Sequence, residues 1–260
     1  MRRMAAIYRQ YMRIAFSSSA AYRLDFILTQ IITLAGNLLV PLLTVLIYSN
    51  GVEIPGWNFY EALLIQSVFM LCTGICAPFF KNMVWTTMWT IKEGSYDLLM
   101  LKPCSLVFVT AAASFAVEYI GSLIGGIAMF TYSLAHLPAP TVASLLSFFF
   151  LLLMGMCMYL GCILLMSASC FKWVGNGRIF EIYEALTMFG RYPGTVFSGG
   201  LRAALTFVFP AAMLGFFPAA AILGRSTWEM MAAAVPCVAF LALGWLVFRR
   251  MIYLYQSAGG

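Results

Sequence analysis

The placement of charge along the chain limits its fold more than any other feature. Residues 26–52, 62–80, 119–171, 203–224 and 230–248 contain no Asp, Glu, Lys or Arg. A helix crosses roughly 30 Å of hydrocarbon with about 20 apolar residues, because each residue rises about 1.5 Å. Four of these runs can each hold one crossing, and 119–171 holds the end of one crossing and the whole of another. Only 9% of the residues are charged and 63% are hydrophobic, whereas a soluble domain carries roughly 25% charged residues. A buried soluble core does not separate its charges in this way. The chain reads as an all-α, polytopic membrane protein.

The net charge of +6 could suit nucleic acid, but its distribution argues against such a partner. Basic residues gather at Arg2, Arg3, Arg9, Arg13 and Arg23, at Lys81, Lys92 and Lys102, and at Arg249 and Arg250. The alternate connections, 50–60 and 133–141, contain no Lys or Arg. Short basic loops stay on the cytoplasmic side, so both termini are expected inside and the number of crossings even. Six are expected. The first apolar run begins only near residue 26 and is too long for a cleavable signal.

Residues 2–16 have helical amphipathic spacing. Met4, Ile7, Tyr8, Tyr11, Ile14 and Ala15 share one face, and Arg2, Arg9 and Arg13 share the other. An interfacial helix over 2–24, with membrane lipid as a partner, is therefore expected. Span one is expected near 26–48, with Asn37 and Pro41 inside it facing other helices. Trp57, Phe59 and Tyr60 suit the aromatic belt before span two at 60–80. Residues 81–105 are too polar to cross yet hold Trp85, Trp89, Tyr96, Leu98 and Leu99. A cytosolic segment this apolar wants lipid or a protein partner. Spans three and four are expected near 106–133 and 142–168. Gly121 and Gly125 in span three permit close helix approach, within the subunit rather than across a dimer seam.

From residue 172 two readings stand. In one, 172–192 is a cytoplasmic interfacial helix and 203–224 is span five, which leaves only Arg225 of the basic residues outside. In the other, 174–191 is span five and 198–224 is an outer re-entrant hairpin, broken at Pro193, Gly199, Gly200, Pro210, Gly215 and Pro218. That arrangement costs three basic residues outside and one buried. Residues 229–250 form the last span in both.

The sequence has no phosphate-binding GxxxxGK[ST], no HExxH and no GxSxG, so no catalytic residues are assigned. The seven cysteines include no CxxC pair, and His136 is the single histidine; no metal site is expected. Glu118 stands isolated in the expected span three. A carboxylate at that depth is costly. It is read either as a substrate-path or proton site, or as a packing hydrogen bond.

Four segments together resemble the membrane subunit of type 2 ABC exporters, in a small branch with free-standing permease chains. They are Ala21-Tyr22-Arg23-Leu24-Asp25-Phe26, Gly56-Trp57, the loop from Lys92 to Pro103 that is similar to "xxGxLDxLLLRP", and the stretch from Arg191-Tyr192-Pro193 through Pro210 to Gly224. Tyr96, Met100 and Lys102 depart from that loop's usual residues. The resemblance implies a permease in the bacterial cytoplasmic (inner) membrane that pairs with a second permease subunit, identical or related. It also implies a separate cytosolic ABC ATPase, so that ATP and Mg belong to that partner and no cofactor to this chain. The ATPase-coupling interface would comprise Trp89, Lys92, Glu93, Gly94, Ser95, Tyr96, Asp97, Leu98, Leu99, Lys102 and Pro103. Glu118, Tyr119, Arg191, Tyr192, Pro193, Pro210 and Pro218 would form the substrate path or its gate. The family's outer hairpin favours the second reading of 172–224. The alternative function is an ion-coupled secondary transporter.

Overall fold

The structure is a computed structural model describing residues 2–173 and 177–255, with side chains from Met4 onward. The Arg2 side chain of the amphipathic face, and residues 174–176 of the expected span five, lie outside the described residues. Helices dominate, and no strand occurs among the described residues. Among the described residues, five stretches are long and apolar enough to cross a membrane: Arg23–Ser49, Phe59–Lys92, Val117–Ala135, Val142–Ser169 and Trp228–Ile252.

The N-terminal helix α1 (Arg2–Ala21) is followed by α2 (Arg23–Ser49). Helix α3 (Phe59–Phe80) is started by a reciprocal cap: the Glu61 amide donates to Asn58 Oδ1 at 2.9 Å, and the Asn58 amide donates to Glu61 Oε2 at 3.0 Å. It continues almost directly into α4 (Met83–Lys92). The 34 residues of Phe59–Lys92 make a rod about 50 Å long. Hydrocarbon takes roughly 30 Å of that, so α4 projects beyond it. Gly94, at φ +68°, turns the chain into α5 (Tyr96–Met100), and α6 (Leu106–Ala113) returns alongside α4. Then come α7 (Ile120–Ala135), α8 (Val142–Ser169) and α9 (Gly177–Thr187). Three short helices, α10 (Gly199–Ala203), α11 (Phe216–Ile222) and α12 (Trp228–Ala232), precede the last, α13 (Ala234–Ile252).

The bundle has a basic end, where Arg23, Lys81, Lys172, Arg249 and Arg250 fall at helix termini, and a far end, formed by the 50–58 and 136–141 turns. Helix α3 is its centre, buried along most of its length. Helices α8 and α13 run parallel. Gly161 meets the Phe240 backbone and Gly244, and Phe171 packs on Phe248 at the basic end. A β-carbon on Gly161 would come within 2.5 Å of the Phe240 carbonyl, so these backbones touch directly. Because both helices run toward the basic end, residues 170–227 must carry the chain back to the far end. They do so in pieces: α9, a 3-10 turn at Met188–Arg191, α10, a π turn at Ala204–Val208, and α11. Pro210 holds Phe209 extended, at φ −129° and ψ 91°, which stops the helix there.

Span three differs from expectation. The run 106–133 is not one helix, because it breaks at Ser114–Ala116 and resumes with a 3-10 turn at Val117–Tyr119. The Ala116 amide donates instead to the Pro78 carbonyl at 2.9 Å. Residues 106–113 are apolar because α6 packs on α4, burying Val109, Thr110 and Ala112. Glu118 therefore sits at this break, beside Ser18, Ser19 and Asp25, near the basic end rather than midway along a span. Gly121 faces Gln30 of α2, and Gly125 faces Leu34 of α2 and Met70 of α3, so their close packing lies within the chain.

Candidate functional site

Helix α2 buries little of itself; Pro41 and Thr44 are its buried residues. What ties it to the bundle is a polar stripe. Gln30, Asn37 and Thr44 recur every seven residues, which is nearly two turns and keeps them on one face. Gln30 donates to the Val117 carbonyl at 3.3 Å and accepts from the Gly121 amide at 2.9 Å. Asn37 donates to Ser122 Oγ at 2.8 Å, and Gln66 donates to Thr44 Oγ1 at 2.6 Å. Between Asn37 and α9 the bundle is not filled.

The space left is a cavity of about 310 Å³ between α2, α3, α7 and α9, at the small end of ligand pockets. Its basic-end floor is an ion pair, Lys81 Nζ to Glu184 Oε1 at 2.6 Å, with the Lys81 ammonium 4.9 Å over the Tyr119 ring. Deeper in, Arg191 Nη2 donates to Asn37 Oδ1 at 3.3 Å, and its guanidinium lies 4.6 Å from the centre of Phe69. Thr73 and Ser122 add hydroxyls, while Ile32 and Met188 at the rim are 69% and 51% exposed. The cavity thus opens sideways, through an apolar mouth, onto polar walls.

Of the residues expected on a substrate path, Tyr119 and Arg191 line this cavity together. Glu118 does not; it accepts from Asn82 Nδ2 at 3.2 Å, whose Oδ1 accepts from Tyr119 at 3.4 Å. Tyr192 borders a separate narrow space with Phe189, Phe197 and Phe216. Pro193, Pro210 and Pro218 are buried; Pro193 and Pro210 stand between helical pieces and Pro218 in the first turn of α11, rather than facing a cavity. Sequence reasoning missed Lys81, Asn82 and Glu184 as partners, since Glu184 is 103 positions from Lys81. It also missed Gln30 and Thr44, although their seven-residue spacing from Asn37 was readable.

At the far end, residues 199–224 double back. Arg202 pairs with Glu229 at 2.8 Å, a β-carbon at Gly155 halfway along α8 would meet the Met213 carbonyl, and Gly224 returns beside Ser144. Arg225 then fastens this end: Nη2 reaches Glu61 Oε1 at 2.5 Å, Nη1 donates to the Gly56 carbonyl at 3.1 Å, and the guanidinium lies 4.7 Å over Trp57.

Beyond the basic end, the 83–105 projection divides into two faces. Met83, Val84, Met88, Ile91, Tyr96 and Leu99 are buried against α6, α8 and the C-terminal residues. Tyr96 packs edge-on to Phe171 and Tyr255, with its hydroxyl 3.3 Å from Thr110 Oγ1. Burial pushes its pKa up to about 12. The other face leaves Trp89, Leu98 and Leu101 54%, 63% and 80% exposed. Lys92, Glu93 and Pro103 are also exposed, Gly94, Ser95 and Asp97 are half-buried, and Lys102 bonds to the Tyr11 hydroxyl of α1.

Compared with known proteins, residues 31–259 match the family model described as ABC-2 family transporter protein. No curated protein and no solved structure matches the chain.

Proposed function

Because the chain belongs to the ABC-2 transporter family, and is therefore a membrane transport component of an ABC transporter rather than its catalytic subunit, we propose that it is the permease of an ATP-driven exporter. In this reading it works with a second permease subunit and a separate cytosolic ATPase, which holds the ATP and Mg. The basic end faces the cytoplasm, following the rule that short Lys- and Arg-rich loops stay inside. The described part of the expected span five, 177–191, supplies the remaining crossing, and 198–224 form the outer re-entrant hairpin. The parallel course of α8 and α13 and the contacts of Met213 halfway along α8 support that topology.

One observation carries the coupling proposal: the projection beyond the basic end presents Trp89, Leu98 and Leu101 to solvent. Apolar side chains grouped at the tip of a cytosolic projection mark a protein contact. The buried face, anchored by Tyr96 and Leu99, joins this tip to α6 and α8, so a push on it reaches the bundle. Closure of the ATPase pair would then tilt the permeases as rigid bodies about their interface, opening a path past the outer hairpins.

The test is to purify a tagged chain from its own membranes in mild detergent and identify what accompanies it. A soluble ATPase should co-purify, and Trp89→Ser with Leu98→Ser should release it while the chain stays folded. A chain that never captures an ATPase, even after crosslinking in intact membranes, overturns the proposal. A second permease sequence in the same fraction would identify a heterodimer.

A further inference from the structure

Among the described residues the side cavity is lined by two cations, Lys81 and Arg191, and one carboxylate, Glu184, which leaves one positive charge in excess. Lys81 and Glu184 neutralise each other at 2.6 Å. Arg191 forms no salt bridge among the described residues. One of its terminal nitrogens is used by the neutral Asn37 carbonyl and one face by Phe69, while its Nε is buried with no hydrogen-bond partner. A guanidinium cannot shed its proton, and a charge held in apolar surroundings is costly unless paired. Five N–H donors in a planar fork match a carboxylate or phosphate.

The surroundings define what would bring that anion. Arg191 is level with Asn37 and Phe69, which lie near the midpoints of α2 and α3. The mouth beside Ile32 and Met188 is apolar and opens on the flank of the bundle. A molecule reaching Arg191 this way comes through the membrane phase, charged group inward and apolar tail toward the rim. The hydroxyls of Thr73 and Ser122 can take further polar atoms beside the charge.

We propose that this cavity binds an amphiphile carrying one anionic group on an apolar tail, with Arg191 as the anion anchor. The inference rests on the permease reading, since it names the class of cargo that would occupy the path, but equilibrium binding tests it without the ATPase. The probe is dodecanoate bearing a diazirine on its tail. It is compared with the alcohol and trimethylammonium analogues on the purified chain in zwitterionic nanodiscs, with sites of labelling read by mass spectrometry. Labelling near Ile32, Thr33 and Met188 should favour the carboxylate by about tenfold or more, the worth of one charge-assisted hydrogen bond. Arg191→Gln should remove that preference and Arg191→Lys should keep part of it. Competition by phosphatidylglycerol would identify a bilayer lipid as the carrier, and competition by unlabelled dodecanoate alone a single-chain ligand; either supports an anion site. Equal labelling by all three probes on the unsubstituted chain overturns the proposal, whether or not the variants fold. An ATPase that co-purifies while the probes label equally would leave the permease reading standing and remove this one. Anion-selective labelling of a chain that captures no ATPase would do the reverse.

Discussion

Replacing Arg225 with Gln should loosen the far end of the bundle without unfolding it. Arg225 makes three contacts there: the ion pair with Glu61, the hydrogen bond to the Gly56 carbonyl and the cation–π contact with Trp57. Its side chain is 44% exposed while that of Glu61 is 10% exposed, so solvent screens one side of the pair and its worth is about 1 kcal/mol. The backbone hydrogen bond adds about 1 kcal/mol and the stacking about 0.5–1 kcal/mol. Glutamine recovers part of the hydrogen bonding, which leaves a loss of about 2 kcal/mol, or roughly 30-fold in the equilibrium for releasing this end. Hydrogen–deuterium exchange reads that equilibrium directly. The Gly224 and Arg225 amides donate to the Ala221 and Ala220 carbonyls at 3.0 and 2.9 Å, and their exchange should speed up by about that factor. Amides in the middle of α8 should not change. Glu61→Gln combined with Arg225→Gln should give a coupling of on the order of 1 kcal/mol. Unchanged exchange at Gly224 and Arg225, or a coupling of zero, would refute the assignment of this contact as the fastening.

Two further predictions concern packing. Gly161→Val should lower the thermal stability of the detergent-solubilised chain by about 1–3 kcal/mol, since the new side chain would wedge α8 from the Phe240 backbone; an unchanged melting temperature would contradict the close approach. The raised pKa of Tyr96 has a definite sign. Its neutral form is favoured in the fold, so its contribution is complete below pH 10 and is lost as pH rises from 10 toward the folded value of about 12. Tyr96→Phe should abolish that alkaline sensitivity of the α4–α6 projection, measured by limited proteolysis at Gly94.

How much of this was legible beforehand varies by element. The crossings follow from uninterrupted apolar runs, because a charge inside hydrocarbon is costly at any position and the signal is local. Span three misled for the same reason: 106–116 is apolar from packing on α4, and nothing in its composition separates that from contact with lipid. The break shows only in structure, where the Ala116 amide turns to Pro78. Of the breaks expected after residue 190, Pro193, Pro210 and Gly215 fall between helical pieces, whereas Gly199 and Gly200 begin α10 and Pro218 lies in the first turn of α11. The cavity was legible only in part. Arg191 and Tyr119 were pointed to by the family resemblance, whereas nothing singled out Lys81 and Glu184 as a pair. Their pairing depends on where α9 lies, and no local pattern encodes that.

The rod formed by Phe59–Lys92 has a mechanical consequence. Its far tip is pinned by the Asn58–Glu61 cap and Arg225, its other tip ends beside the exposed Trp89, and Phe69 lies between them. From the pinned tip, Phe69 is ten residues along and Lys92 is thirty-three, roughly 15 and 50 Å. Such a lever gears motion down by about a factor of three. A displacement of about 6 Å at the basic tip moves Phe69 by only about 2 Å, with force multiplied in the same ratio. The length of the projection thus sets the gearing between a large, weak movement at the surface and a small, forceful one at the cavity wall.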